Sequence, residues 1–324
     1  MRKMRMTGLD GEPVEIGQQT LEVLADRLAG ELLRREEPGF AEAVSIWNGM
    51  ISKRPAVVVQ PVSADDVCQA IHFARAHGVL LSVKGGGHNV AGTSLADGGL
   101  TIDMSRMRSV KVDPRRRLAW VGGGCLLGDV DRATQVHGLA TVLGSNSETG
   151  VAGLTLGGGF GYLSRRFGLA VDNLEEVEIV TADGQVRRAA ADENADLFWA
   201  VRGGGGNFGV VTRFTFRLHP VGPEITGGLM MWDGERADEV LTLYRDVTES
   251  APRELTVMLV VRAIPAVPFV PERYHGRPGI GMNLCHSGDP ARAARDLAPI
   301  KAQRPLADIV EPRTYVDQQS ILDP

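Results

Sequence analysis

The segment Val83-Lys84-Gly85-Gly86-Gly87-His88-Asn89-Val90-Ala91-Gly92 holds three consecutive glycines followed by an imidazole and an amide. Successive backbone N–H groups in such a turn point inward and form an anion nest, for which a pyrophosphate is a natural guest. Glycine lets the backbone approach a ligand closely or take positive φ. A histidine at the rim of the nest would lie beside whatever the phosphates carry. A tight turn with a surface histidine accounts for the same residues, and the local sequence leaves both readings open. Other chemical motifs are weaker. Gly204, Gly206 and Gly209 form a strict G-x-G-x-x-G, but they follow a helical pattern and open a strand, the reverse of a dinucleotide fingerprint. The chain has no GxxxxGK[ST], GxSxG or HExxH, so phosphate-loop, hydrolase-elbow and zincin chemistry lack their motifs. His72 and His77 do not share a helix face, and Cys285-His286 stands without partners, so no metal site is expected.

The elements around the histidine loop follow from periodicity. Val57-Val58-Val59 reads as a short buried strand. Ser63 with Asp66 three residues on has capping-box spacing, Val67, Ala70, Ile71 and Ala74 recur at helical intervals, and Gly78 ends the helix. Residues 79–83 form the next strand, so a βαβ-like unit runs straight into Gly85. Strands are expected over 100–104, 109–112 and 118–121, a helix over 126–136, and a hairpin of 177–182 with 185–190 about an Asp183-Gly184 type I′ turn. A short helix over 193–201 precedes a strand over 210–218. Leu21, Leu24, Leu28 and Leu32 predict that residues 1–46 are a helical segment. His219-Pro220-Val221-Gly222-Pro223 breaks both periodicities and places a boundary near 220. Glycine makes up 40 of the 324 residues, and four runs, at 85–87, 122–124, 157–159 and 203–206, concentrate it. At least two of these runs are expected to line a ligand.

Residues of about 47 to 220 resemble the FAD-binding domain of the family typified by vanillyl-alcohol oxidase and p-cresol methylhydroxylase, and within it the berberine-bridge-enzyme-like oxidoreductases of the nicotine oxidase branch. The landmarks recur in order: Arg54-Pro55, Gly85-Gly86-Gly87-His88, Gly150-Val151-Ala152-Gly153, Leu156-Gly157-Gly158-Gly159 and Gly161. Gly168-Leu169, Asp172-Asn173, Thr181-Ala182-Asp183-Gly184, Asp196-Leu197-Phe198-Trp199 and Asn207-Phe208-Gly209-Val210-Val211 follow. The resemblance implies an α+β fold, with a two-subdomain FAD-binding domain over 47–220 and an incomplete substrate domain with an antiparallel sheet over 221–324. It implies that Lys84, Gly85, Gly86, Gly87, His88 and Asn89 cradle the FAD pyrophosphate, and that His88 is bonded covalently to the flavin. Gly92, Gly144, Asn146, Gly150, Gly153, Gly157, Val210 and Val211 would complete the cofactor site. Many members carry a second link through a cysteine; the aligned position is Asn146, so one bond is expected, and Cys125 is read as packing. Tyr315, Gln319 and Asp323 fit a Y-x3-Q-x3-D pattern that the family carries on a strand, with Tyr315 and Gln319 facing the substrate. Members usually run further than Pro324, so the substrate domain is expected to be truncated and to call for an oligomer or a complementing chain.

Composition narrows the function. Lys+Arg 35 against Asp+Glu 40 gives a net charge of −5, which supplies no field for a polyanion, so nucleic acid is not an expected partner. No apolar run reaches the ~18 residues of a membrane span, and the basic N-terminus lacks a signal-peptide core. Three cysteines make no disulfide framework and point to the cytoplasm. The leading expectation is an FAD-dependent oxidoreductase that takes a hydride from an alcohol or amine C–H of a small molecule and passes electrons to O2. The alternatives are a non-catalytic flavin-binding or interaction protein, motivated by the missing segment, and an NAD-dependent dehydrogenase, which the inverted G-x-G-x-x-G disfavours.

Overall fold

The computed structural model describes residues 3–268 and 270–323. Its first sheet orders strands Glu31–Arg34, Val57–Gln60, Leu100–Asp103 and Leu81–Lys84. The outer strand Glu31–Arg34 is antiparallel and the other three are parallel. Parallel strands are covered on both faces, which is why Val57, Val58 and Val59 form an uninterrupted apolar run with no exposure. Helix Ala64–His77 makes the crossover. Ser63 Oγ accepts from Asp66 N at its start, and Gly78 in a left-handed conformation closes it. The strand after it therefore delivers Gly85 at the sheet's C-terminal edge.

The N-terminal expectation is corrected. Residues 3–17 are a hairpin of Lys3–Thr7 with Pro13–Gly17, and only Gln18–Arg27 is a long helix. Leu21 and Leu24 lie on that helix, but Leu28 is extended and Leu32 sits in a strand. Apolar spacing of three and four was satisfied by burying side chains from different elements in one core.

A second, antiparallel sheet orders Val186–Ala190, Leu174–Val180, Val210–Arg217, Leu118–Gly122 and Val110–Asp113. Its apolar side packs around Phe214, Phe216 and Leu127. The hairpin about Asp183-Gly184 forms, but only Gly184 has positive φ, and Thr181 N donates to Gln185 O. A type I′ turn needs positive φ at both central residues, so the turn is of another type.

Beyond Pro220 a third core forms around an antiparallel sheet of Leu255–Ala263, Pro278–His286 and Glu224–Asp233, with Ala307–Asp308 and Glu311–Thr314 at its edge. Strand alternation sorts its faces. Ile280, Met282 and Leu284 join the core that contains Val240 of helix Ala237–Ser250 and Leu297 of helix Pro290–Lys301. Cys285 packs on the other side with Val142, Tyr162 and Tyr315, against the second region. The architecture is α+β. No helix among the described residues is long and apolar enough to cross a membrane.

Candidate functional site

A cavity of about 1100 Å³ lies between the first two sheets. That is above the ~300–1,000 Å³ of ordinary small-molecule pockets and suits an extended dinucleotide. One wall comes from the first region, through Leu81, Ser82, Val83 and the loop Gly85-Gly86-Gly87-His88-Asn89. The other comes from the second, through Gly150, Gly153, Gly157, Val210 and Val211. The runs 85–87 and 203–206, the latter through Gly205 and Gly206, each contribute two or more residues, and the run 157–159 contributes Gly157. In the run 122–124 only Gly123 lines the cavity. Gly122 and Gly124 instead lie against the backbone carbonyls of Met107 and Met104, where a Cβ has no room.

The two walls approach most tightly at Gly86 and Gly150. A Cβ on Gly86 would lie 2.6 Å from the Gly150 Cα, and one on Gly150 would lie 2.8 Å from the Gly86 Cα. Both residues must be glycine for the walls to close to this distance. Gly153 is the opposite case, since a Cβ there meets nothing within 4 Å.

The loop suits an anion. Among the described residues, the backbone N–H groups of Gly86, Gly87, His88 and Asn89 donate to no protein acceptor, although all four residues line the cavity. Unpaired backbone donors in a row are the groups from which an anion nest is built. Ser94, also on the wall and buried, has an Oγ without a partner among the described residues. These orphan groups and the glycine contact fit a cofactor that carries a pyrophosphate. His88 is half-buried, and that burial lowers its pKa below the usual imidazole value, with Glu148 opposing. The Asn89 side chain shapes the loop by accepting from Thr93 N at 3.0 Å.

Several expected residues lie elsewhere. Lys84 is buried and turns away from the cavity: its Nζ donates to Ala43 O at 2.8 Å and pairs with Asp103 at 3.5 Å. Gly92 takes positive φ in the turn that follows and packs on Ile51. Gly144 lies against Leu154 and Leu127, so its small size serves packing. Asn146 Oδ1 accepts from Glu148 N at 3.0 Å, and its Nδ2 reaches Leu322 O at 3.4 Å. Cys125 is fully buried in the second core, its thiol pushed up to about 12 by burial, which agrees with packing.

Tyr315 and Gln319 are corrected on two counts. They lie on a helix, Tyr315–Gln319, and neither lines the cavity. Tyr315 is buried against Ala140, Val142 and Tyr162, with its hydroxyl pKa raised by burial. Gln319 Nε2 donates to Asp131 Oδ2 at 3.0 Å, and Asp323 accepts from Ser147 N at 2.8 Å. A spacing of four is helical, and that signal was available in the sequence. The helix and the turn after it place all three residues along the seam between the third region and the second. A buried trio beside them was not foreseen. Asn283 Nδ2 donates to Tyr162 Oη at 2.7 Å, and Gln318 Nε2 donates to Asn283 Oδ1 at 3.0 Å. Burial also raises the Tyr162 pKa, to about 12. The cavity's apolar end, at Leu9, Ile71, Ala74 and Val79, was likewise missed, because these side chains looked like ordinary core.

Residues 55–190 match the FAD binding domain family. This part of the chain is an FAD-binding domain. The chain is 33% identical over 292 residues to (R)-6-hydroxynicotine oxidase of Paenarthrobacter nicotinovorans, an alignment covering 89% of this chain and 62% of that protein. The solved structure of 6-hydroxy-D-nicotine oxidase from Arthrobacter nicotinovorans superposes with a TM-score of 0.83 at 32% identity, over 91% of this chain and 64% of that one. The berberine-bridge-enzyme-like protein BBE-like 1 of Physcomitrella patens gives 0.82 at 26% identity, over 93% and 63%. The family and fold read from the glycine landmarks are therefore those found. The chain spans about three fifths of the length of these relatives.

Proposed function

We propose that the chain serves an FAD-linked oxidoreductase acting on an alcohol or amine C–H of a small molecule, with O2 as the electron acceptor. The observation that carries this reading is a row of four backbone N–H groups without protein acceptors among the described residues, on Gly86, Gly87, His88 and Asn89, all of which line a dinucleotide-sized cavity. When bound, FAD would supply the two-electron acceptor that no side chain can provide. The chain's own tasks are to bind and orient. Gly86, Gly87, His88 and Asn89 would hold the pyrophosphate through their N–H groups, and Ser94 Oγ offers a further polar contact. Gly153, Gly157, Val210 and Val211 would form the opposite wall. His88, whose partial burial disfavours its charged form, has no hydrogen-bond partner on its ring among the described residues and suits a covalent bond with the flavin, and no cysteine lies among the cavity residues to make a second. Backbone dipoles of the loop would stabilise negative charge on the cofactor. Three unpaired, buried cysteines suit a reducing cytoplasm.

Acid precipitation of the purified protein tests this. The pellet should be yellow and fluorescent, and His88→Ala should release the colour to the supernatant. Protein that never carries flavin, even after incubation with FAD, would refute the reading.

A further inference from the structure

Residues 43–53 wrap the histidine loop from outside the cavity. Four hydrogen bonds join the two segments: Lys84 Nζ to Ala43 O at 2.8 Å, Trp47 N to Gly87 O at 3.1 Å, Asn48 Nδ2 to Val90 O at 2.7 Å and Lys53 Nζ to Gly92 O at 2.9 Å. Two apolar plugs complete the contact. Ile46 sits where a Cβ on Gly87 would meet it at 3.4 Å, and Ile51 would be met at 2.7 Å from Gly92. These two glycines, at φ of 73° and 65°, bracket His88. The backbone on both sides of the imidazole is thus fixed by one neighbouring segment. The Trp47 indole then stacks on the His88 ring, with centroids 5.9 Å apart and planes at 22°. Trp47 is otherwise exposed, to 60%. A large aromatic held at the surface has little core packing to justify it, and its one ring partner among the described residues is the imidazole.

We propose that residues 43–53 are a clasp that sets the His88 imidazole against the cavity, with Trp47 as the positioning residue that fixes the ring plane. This rests on the reading of His88 as the cofactor-bearing residue, and it concerns the orientation of the ring before any cofactor binds. Offset stacks in this distance range orient aromatic rings, and losing one lowers the population of the aligned ring about fivefold. The indole also keeps water from one face of the imidazole. Glu148 is the charged group whose field reaches His88, and Lys84 is directed away to Ala43 and Asp103.

The test compares wild type with Trp47→Ala and Trp47→Phe, by two readouts. The first is NMR titration of the His88 ring in flavin-free protein, its signal identified by its loss in His88→Ala. The second is the fraction of flavin retained after acid precipitation when FAD is supplied. In Trp47→Ala the His88 pKa should rise towards the free imidazole value of about 6.5, and the tethered fraction should fall several-fold. Trp47→Phe, which keeps an aromatic face, should restore both. An unchanged titration in Trp47→Ala, or a change that Trp47→Phe leaves uncorrected, would overturn the clasp. A wild type without tethered flavin whose His88 pKa still responds to Trp47 would uphold the clasp and refute the covalent role instead. Since Trp47 is mostly exposed, urea melts of the variants should match wild type, which separates ring positioning from folding.

Discussion

Two glycine-to-alanine substitutions on the same cavity should have opposite effects on stability. At Gly86 the new Cβ would lie 2.6 Å from the Gly150 Cα and closer still to its nitrogen. Carbon atoms in contact ordinarily sit about 3.5–4.0 Å apart, so about 1 Å of overlap must be relieved. The obstructing atoms are backbone on both sides and cannot rotate away. Overpacking of this kind costs about 1–3 kcal/mol, and Gly86→Ala should fall at the upper end. Gly153 lies within helix Val151–Leu156, and its Cβ would meet nothing within 4 Å. Alanine there removes a helix-interior glycine and should stabilise the protein by about 0.5–1 kcal/mol. The same methyl intrudes on space reserved for FAD, so affinity should fall while stability rises. A steric conflict of about 1–3 kcal/mol corresponds to a roughly 5- to 150-fold weaker Kd. Urea melts of flavin-free protein measure the first quantity. Fluorescence titration with FAD in a His88→Ala background, where binding is reversible, measures the second. If Gly153→Ala binds FAD as tightly as its parent, the wall formed by Gly153 does not face the cofactor and the cavity has been assigned wrongly.

Two further expectations concern buried charge. Asp131 is fully buried with its pKa pushed up to about 7 by burial, and both Asp131 Oδ1 and Gln319 Oε1 lack partners among the described residues. An unfolded aspartate ionises near pH 4, whereas the folded one keeps its proton to about 7. The folded state therefore holds the extra proton between those values, and stability should decline as pH rises through them, by up to about 1.4 kcal/mol per pH unit. Asp131→Asn should flatten that slope in urea melts taken from pH 4 to 8; an unaltered slope would mean that another group titrates. Lys84 and Asp103 form a pair with side-chain exposures of 10% and 1%. Lys84→Met should lower stability by about 3–5 kcal/mol, because a buried carboxylate loses its counter-charge, and an unshifted urea midpoint would show that Asp103 is sustained by Gln60 and Ser105 alone.

The sequence by itself determined the elements whose signals are local. The Ser63 cap, the Gly78 stop and the uninterrupted valines at 57–59 depend on a few adjacent residues, and all formed as read. The ordered glycine landmarks also pointed to the family, and at Gly86 and Gly150 the close backbone approach tolerates no other residue type. What the sequence could not convey was which partner each residue would meet across the fold. Leu28 and Leu32 kept helical spacing while lying outside the helix, since a core accepts apolar side chains from any element. Lys84 and Asn146 sit within cofactor-binding motifs yet point elsewhere, because the carbonyls of Ala43 and Leu322 come from distant parts of the chain. Tyr315 and Gln319 became seam residues for the same reason: Asp131, the partner of Gln319, lies 188 residues away. Local backbone geometry is written in neighbouring residue types, whereas side-chain destinations are settled only when the sheets and helices close on one another.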